Sequence, residues 1–266
     1  MRIRFRGVRG SVPWATMASI GVGCNTPCVE LTDEAAGRTL VLDAGSGIVG
    51  LGETMTGPPH PVDVLLTHYH WDHLQGLPFF APLFQPGWRP TIWMPTLSSE
   101  IPLDALFASP FFPVPFERLP SRPAAAIVRP GRLRIGPFEV RAQPLHHPGG
   151  AFAYRIRGEA GDLVYATDHE FGDEAVDLAF GAFIHGAAAV ILDAHFTPAE
   201  RPAHAGWGHG DWDQCARFAA AHGVAHLWLF HHKPGRTDEA LRTIEADARG
   251  LFPATDLAVE GTTFHV

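Results

Sequence analysis

Short apolar runs rich in Val, Ile and Leu recur along the chain at 38–43 (RTLVLD), 62–67 (VDVLLT), 162–167 (DLVYAT), 188–193 (AAVILD) and 225–230 (AHLWLF). Each has strand length and is bounded by Gly, Pro or charge. Most are apolar at nearly every position rather than alternating, as in strands covered on both faces. Two stretches carry helix signals instead. Residues 211–222 open on Asp211, suited to N-capping, and end before Gly223. Residues 237–249 open on Thr237 and are expected to stop at Gly250. The segment 78–123 is dense in Pro and Phe, which blocks long helices and central strands. It predicts an ordered, loop-rich excursion with an apolar surface, either a pocket wall or a packed connection. No repeat or flexible linker interrupts the pattern. The expectation is a single domain over 1–266, with layered sheets and outer helices.

Composition supports a folded enzyme-sized domain. The 266 residues are 46% hydrophobic and 18% charged, the latter below the usual value of about 25%. No run of about 18 apolar residues predicts a transmembrane helix, and MRIRFRGVRG lacks a signal-peptide core. A net charge of -8 argues against general nucleic-acid binding through a basic face. Three cysteines make no disulfide framework, and a cytoplasmic setting fits. Cys24 and Cys28 read as thiols of the fold rather than zinc ligands, because two further ligands are missing from the pattern.

The sixteen histidines change the picture. The run 62–67 leads straight into Thr67-His68-Tyr69-His70-Trp71-Asp72-His73. His68 and His70 share a face on extended backbone, and Asp72 and His73 fall on the next turn. Imidazole with carboxylate suits Zn²⁺, Mn²⁺ or Fe. By spacing alone, the four groups fill one closed site or serve two metals. Other apolar runs end the same way. The run 138–145 leads into His146-His147-Pro148-Gly149-Gly150, and 162–167 into Asp168-His169-Glu170. The last two lead into Asp193-Ala194-His195 and His231-His232. Strands that deliver His or Asp at their carboxyl ends are the expected build of an α/β active site.

The pattern His68-x-His70-x-Asp72-His73 resembles the signature of the metallo-β-lactamase-fold hydrolases. VRGSVP (8–13), CNTPCVEL (24–31), LDAGSG (42–47), HHPGG (146–150), YATD (165–168), GWGHGDW (206–212) and FHHKPGRTD (230–238) extend the likeness over nearly the whole chain. They resemble the subgroup related to phosphoribosyl cyclic phosphate phosphodiesterase and tRNA 3′-processing endonuclease. The resemblance implies an α/β fold, a four-layer αββα sandwich of two mixed β-sheets flanked by helices. It implies two divalent metal ions, Zn²⁺ first, with Mn²⁺ or Fe as alternatives. His68, His70 and His147 would hold one, Asp72, His73 and His231 the other, and Asp168 would bridge. His147 is chosen over His146 because the family ligand precedes Pro-Gly-Gly, and His231 over His232 because the ligand directly follows the last strand. Asp43 resembles a carboxylate that orients a metal ligand. Asp193 and His195 match a segment that does not usually ligate.

The expected activity is phosphodiester hydrolysis of a small cyclic phosphate or cyclic nucleotide by a hydroxide generated between the metals. Asp72 would align that hydroxide, and His209 would protonate the leaving group. Relatives often carry Ser or Thr after this histidine, where the chain has Gly210, so a hydroxyl contact to phosphate is not expected from that position. Ser11 and Asn25, flanked by Gly7, Gly10, Gly21 and Gly23, are candidate phosphate contacts. Competing readings are a tRNA 3′-processing endonuclease, a carboxylic or lactam ester hydrolase, and a metal-dependent binding module without turnover. No membrane partner is expected. The apolar stretch 107–116 is a candidate homodimer interface or lid.

Overall fold

A computed structural model describes residues 1–97 and 103–266. The chain opens with β1 (Arg2–Gly7), β2 (Cys28–Asp33), β3 (Arg38–Leu42), α1 (Gly47–Thr54), β4 (Val62–Leu65), β5 (Thr91–Pro95) and β6 (Ala124–Val128). It continues through β7 (Gly131–Ile135), β8 (Phe138–Leu145), β9 (Ala151–Arg157), β10 (Asp162–Ala166), α2 (Glu174–Ile184) and β11 (Ala189–Asp193). It closes with α3 (Trp212–Ala221), β12 (Leu227–Phe230), α4 (Asp238–Leu251), β13 (Thr255–Leu257) and β14 (Thr263–His265).

The strands form two seven-stranded mixed sheets, ordered β14-β1-β2-β3-β4-β5-β6 and β13-β12-β11-β10-β9-β8-β7. Both sheets follow one plan. Antiparallel strands come first, and then three parallel pairings, β3–β4–β5–β6 in one and β10–β11–β12–β13 in the other. One apolar cluster joins the inner faces through Ile3, Phe5, Leu31, Leu40, Val140, Tyr154 and Tyr165, and extends beneath α2, α3 and α4. This is the four-layer αββα sandwich. Among the described residues, no helix is long and apolar enough to cross a membrane.

The five apolar runs all contain strands, and β4, β11 and β12 are buried at every position. Asp211 and Thr237 cap α3 and α4, accepting from the backbone N–H groups of Gln214 and Ala240. The second helix runs through Gly250 to Leu251 rather than stopping before it. The larger departure lies in 78–123, where a central strand is present after all. β5 pairs with both β4 and β6, and prolines stand at position 90 and at its last residue, Pro95. A strand with Pro only at its margins keeps its interior ladder intact. Several described residues of the remainder pack on the outer face of the first sheet. Phe80, Leu83, Phe107 and Leu119 are buried there against Val64, Ile92, Ile48 and Leu51. It is thus a packed connection with its own satellite core.

Helices lie on the outside, and the carboxyl ends of β3, β4, β8, β10, β11 and β12 carry the chemistry-bearing loops. The loop after β3 and the turn after β4 are laced together. Ala44 N–H donates to His73 O at 2.8 Å, and Gly76 N–H donates to Ala44 O at 3.0 Å. Backbone contact is so close that a Cβ on Gly76 would collide with the carbonyl of Gly45. We therefore expect Gly76→Ala to lower stability by about 1–3 kcal/mol, through overpacking against backbone that cannot give. A urea unfolding midpoint unchanged from wild type would contradict this.

Candidate metal centre

The chain leaves β4 at Leu65, bends at Thr67, is extended at His70, and then closes a 3₁₀ turn over Trp71–His73. Asp43, just past β3, fixes this segment from behind. Its buried carboxylate accepts from Thr67 N–H at 2.7 Å, from Thr67 Oγ1 at 2.9 Å, from Tyr165 Oη at 2.8 Å and from His73 Nδ1 at 2.8 Å. A His73 proton held on Nδ1 leaves the Nε2 lone pair facing the interior. His147 is set the same way, with Nδ1 donating to the carbonyl of Gly208 at 2.8 Å.

Three of the converging residues share an unusual backbone. Asp43, Asp168 and His231 have φ of 61°, 60° and 59°. Each stands within two residues of the end of a strand: β3, β10 and β12 respectively. The left-handed region costs a residue with a Cβ of the order of 1 kcal/mol or more, and such residues cluster at functional sites. Here it turns each side chain out of its strand toward one point.

Two groups form at that point, and a third, Asp193, His195, His209 and His231, forms beside them and shares His231. His68, His70, His147 and Asp168 bring one potential ligand atom each to within 4.8 Å of one another, and so do Asp72, His73 and His231. Asp168 divides its carboxylate between them. Its Oδ2 lies 3.4 Å from His68 Nε2 and 3.6 Å from His147 Nε2. Its Oδ1 lies 3.5 Å from His73 Nε2 and 3.2 Å from His231 Nε2. Asp72 Oδ2 completes the second group, 3.3 Å from His73 Nε2 and 3.1 Å from His231 Nε2. A tetrahedral ion with bonds of about 2.0–2.2 Å separates its ligand atoms by about 3.3–3.6 Å. The separations of His68, His147 and His73 from the carboxylates fall within that edge length, and those of His231, 3.1 and 3.2 Å, are slightly shorter.

The polar atoms themselves call for a cation. His68 Nε2 and His73 Nε2 are buried and have no hydrogen-bond partner. A buried polar atom left unpaired is costly and rare. His147 Nε2 faces His70 Nδ1 at 2.9 Å. Burial pushes His68 well down and His147 down to about 4, so both imidazoles are neutral and offer lone pairs near pH 7. Burial opposes charge on Asp72 and Asp168, yet the imidazoles of His73 and His231 hold both well below the usual carboxylate range. The same carboxylates push His73 well above the usual histidine range, so neutral imidazoles at His68 and His147 stand beside a protonated one at His73, and a divalent transition metal would take the place of that proton.

His209 stands beside this centre. Its ring stacks on His195 at 4.5 Å and on His231 at 5.0 Å, and lies 5.6 Å from His147. Burial disfavours its charge, but the Asp193 carboxylate 2.8 Å from Nδ1 raises it to about 9. Asp193 thus serves His209 rather than the ligand groups around Asp168. Glu170, which sequence reasoning left without a role, ties down the same loop by accepting from Gly206 and Gly208 N–H, each at 2.7 Å. Gly208 has φ +87° and abuts His147 so closely that no Cβ fits. A Cβ at 210 would lie 3.2 Å from the Phe171 ring, so a side chain there would need that ring to shift by a few tenths of an ångström.

The remaining candidates separate. Ser11 meets the centre through its backbone, donating N–H to Asp72 Oδ2 at 2.8 Å from a φ of 63°. Asn25 is engaged elsewhere. Its amide donates to Glu260 at 3.1 Å and accepts from Ser46 Oγ at 3.0 Å, which ties both ends of the side chain to neighbouring loops. His146, His169 and His232 stay outside the two groups, bound to Glu170 O, Asp177 and Ala258 O. Cys24, Cys28 and Cys215 are free thiols and join no metal-binding group among the described residues. Thr67, Tyr165, Glu170 and the Asp193–His209 pair were missed as supports. Only the string Asp168-His169-Glu170 hinted at one of them.

The chain is similar to known proteins in sequence and in fold. A family model described as a beta-lactamase superfamily domain matches residues 38–232. Ribonuclease Z from Synechococcus sp. (strain WH7803) is 29% identical, over 73% of this chain and 76% of that one. Among solved structures, the metallo-beta-lactamase fold protein YhfI from Bacillus subtilis superposes with a TM-score of 0.75 at 19% identity, covering 99% of both chains. A diphosphatase of the PhnP family superposes with a TM-score of 0.73 at 17% identity, covering 100% of this chain and 98% of that one. With that match across most of its length, two mixed sheets between helices and a convergent His/Asp centre, the chain belongs to the beta-lactamase superfamily and is a hydrolase of the metallo-beta-lactamase fold.

Proposed function

We propose that this chain, as one hydrolase domain over 1–266, is a dinuclear metal-dependent phosphodiesterase of the cytoplasm acting on a small cyclic phosphate or cyclic nucleotide. The observation that carries this reading is the division of Asp168 between two histidine groups, beside two buried imidazole nitrogens that lack partners. His68, His70, His147 and Asp168 Oδ2 would hold one ion. Asp72, His73, His231 and Asp168 Oδ1 would hold the other. Zn²⁺ fits the donor set best, with Mn²⁺ and Fe as alternatives. The ions would supply Lewis acidity toward phosphoryl oxygens and lower the pKa of water to about 7.

The protein's own groups do the rest. Asp43 and Gly208 O engage Nδ1 of His73 and His147, so Nε2 is the nitrogen that each would offer a metal. Ser11 N–H and the paired imidazoles hold Asp72 ionised and oriented. With Nδ1 bonded to Asp193, His209 keeps its transferable proton on Nε2. It is the group that can protonate a departing alkoxide, and the Asp193 carboxylate steadies the charge before the transfer. His209→Asn should cut turnover of a cyclic nucleotide roughly 10²–10⁴-fold, the usual worth of a positioned acid. On bis(p-nitrophenyl) phosphate the loss should be far smaller, because p-nitrophenolate leaves without a proton. Equal losses on both substrates would remove His209 from this role. A metal-loaded protein that turns over neither would defeat the phosphodiesterase reading.

A second reading, RNA 3′-end processing, has two specific supports. One is the likeness to a protein named Ribonuclease Z, which bears against the expectation of no nucleic-acid partner. The other is local charge on a chain whose net charge is -8. Antiparallel register sets Arg132 opposite Arg141 and Arg141 opposite Arg155 across β7, β8 and β9. Arg134 and Arg157 flank that row, with Glu139 and Asp162 as their acidic neighbours. Like charges directly opposite destabilise a sheet, and five arginines against two carboxylates make a positive face. If RNA is the substrate, binding of a tRNA precursor should weaken steeply with salt, and Arg132→Glu with Arg141→Glu should abolish it. Undiminished binding by the double variant in a gel-shift titration would count against this second reading.

A further inference from the structure

The seven tryptophans divide by exposure. Trp88 and Trp228 are buried, and Trp93 and Trp212 are half-buried. Trp14, Trp71 and Trp207 are 40%, 60% and 62% exposed. Tryptophan is highly buried on average, so three indoles left in solvent call for an explanation. Packing does not supply one. Trp207 meets the His204 ring edge-on at 4.8 Å, and among the described residues Trp14 and Trp71 stack on no ring.

All three stand within three residues of a group that builds the candidate centre. Trp14 follows Ser11, whose N–H reaches Asp72. Trp71 lies between His70 and Asp72. Trp207 precedes Gly208, whose carbonyl orients His147, and His209. They belong to three separate loops, after β1, after β4 and between β11 and α3. The contacts Ser11–Asp72 at 2.8 Å, His70–His147 at 2.9 Å and His147–Gly208 at 2.8 Å draw those loops together. Trp14 is held in its loop by donating its backbone N–H to Cys24 O at 2.9 Å. The exposed indoles therefore stand on the three loops that meet at the place where a phosphoryl group would be handled.

We infer that Trp14, Trp71 and Trp207 select phosphodiesters that carry a planar aromatic group, a nucleobase above all, over sugar phosphates without one. The inference rests on the phosphodiesterase reading and narrows its substrate class. Every nucleobase offers a π-face to an indole, and stacking of this kind is worth roughly 5- to 150-fold in affinity per base. Indole rings lose little freedom on contact, having two side-chain torsions, and exposed ones need no rearrangement to accept a base. The metal centre beneath is chemically indifferent to the base, so discrimination falls to the rim.

Two substrates with the same reacting group test this. One is adenosine 2′,3′-cyclic monophosphate. The other is methyl riboside 2,3-cyclic phosphate, in which a methoxy group replaces the base. Wild type should prefer the first by about tenfold or more in kcat/KM, carried by KM. Trp71→Ala and Trp207→Ala should collapse that ratio through KM, and Trp71→Phe and Trp207→Phe should restore most of it. Equal kcat/KM on both substrates in wild type, or alanine variants that lower both equally, would overturn the inference. Tryptophan fluorescence titrated with adenosine 5′-monophosphate and with ribose 5-phosphate needs no turnover. Quenching by the nucleotide alone, lost in the alanine variants, upholds the rim even if no phosphodiester is cleaved, which would sink only the phosphodiesterase reading. Identical responses to the two ligands refute the rim whatever the enzyme hydrolyses.

Discussion

Everything at the site depends on one buried carboxylate shared between two sets of imidazoles. Asp168 is fully buried, sits in the left-handed region, and offers one oxygen to His68 and His147 and the other to His73 and His231. Seven ionisable groups gathered in this way repel or starve one another unless a compensating charge lies among them. His68 and His73 each keep a nitrogen with no partner. Separations of 3.1–3.6 Å around Asp72 and Asp168 leave the space a tetrahedral cation requires. The two-sheet fold serves this arrangement. The His68–His73 turn comes from the first sheet, and His147, Asp168 and His231 come from strand ends of the second.

Support around the centre is graded from rigid to adaptable. Asp43 binds Thr67, His73 and Tyr165 at once, so it joins β3, the turn after β4 and β10 through a single carboxylate. Glu170 clamps the glycine-rich loop that presents Gly208 O to His147 and carries His209. Farther out the groups become aromatic and exposed. Chemistry is thus fixed by buried charge, and choice of ligand is left to loops whose side chains contribute little to stability. This separation is how one fold hosts many hydrolytic specificities.

Much of this was legible in the sequence because its causes are local. Apolar runs without alternation marked β4, β11 and β12, since burial on both faces leaves no polar positions. The ligand string followed a strand directly, so its convergence was readable from spacing and resemblance together. Other features were not local. β1 alternates Arg2, Arg4 and Arg6 with Ile3 and Phe5, but so short and charged a run becomes a strand only once β14 and β2 pair with it. β5 was hidden by prolines whose harmlessness depends on their falling at the strand's margins. Asn25 resembled a phosphate contact because Gly-rich turns often make one. Its partner Glu260 lies 235 positions away and could not be inferred from the motif. Asp193 as the partner of His209, and Glu170 as the clamp on Gly208, likewise exist only once distant loops meet.

Counting metal ions tests the central claim most directly. Metal-free protein should be titrated with Zn²⁺, desalted and measured by plasma mass spectrometry, for wild type and for Asp168→Ala. The account predicts two ions per chain in wild type and a loss at one or both sites in the variant, with the fold retained by circular dichroism. A folded wild type that binds one ion or none, or a variant that still holds two, would contradict it.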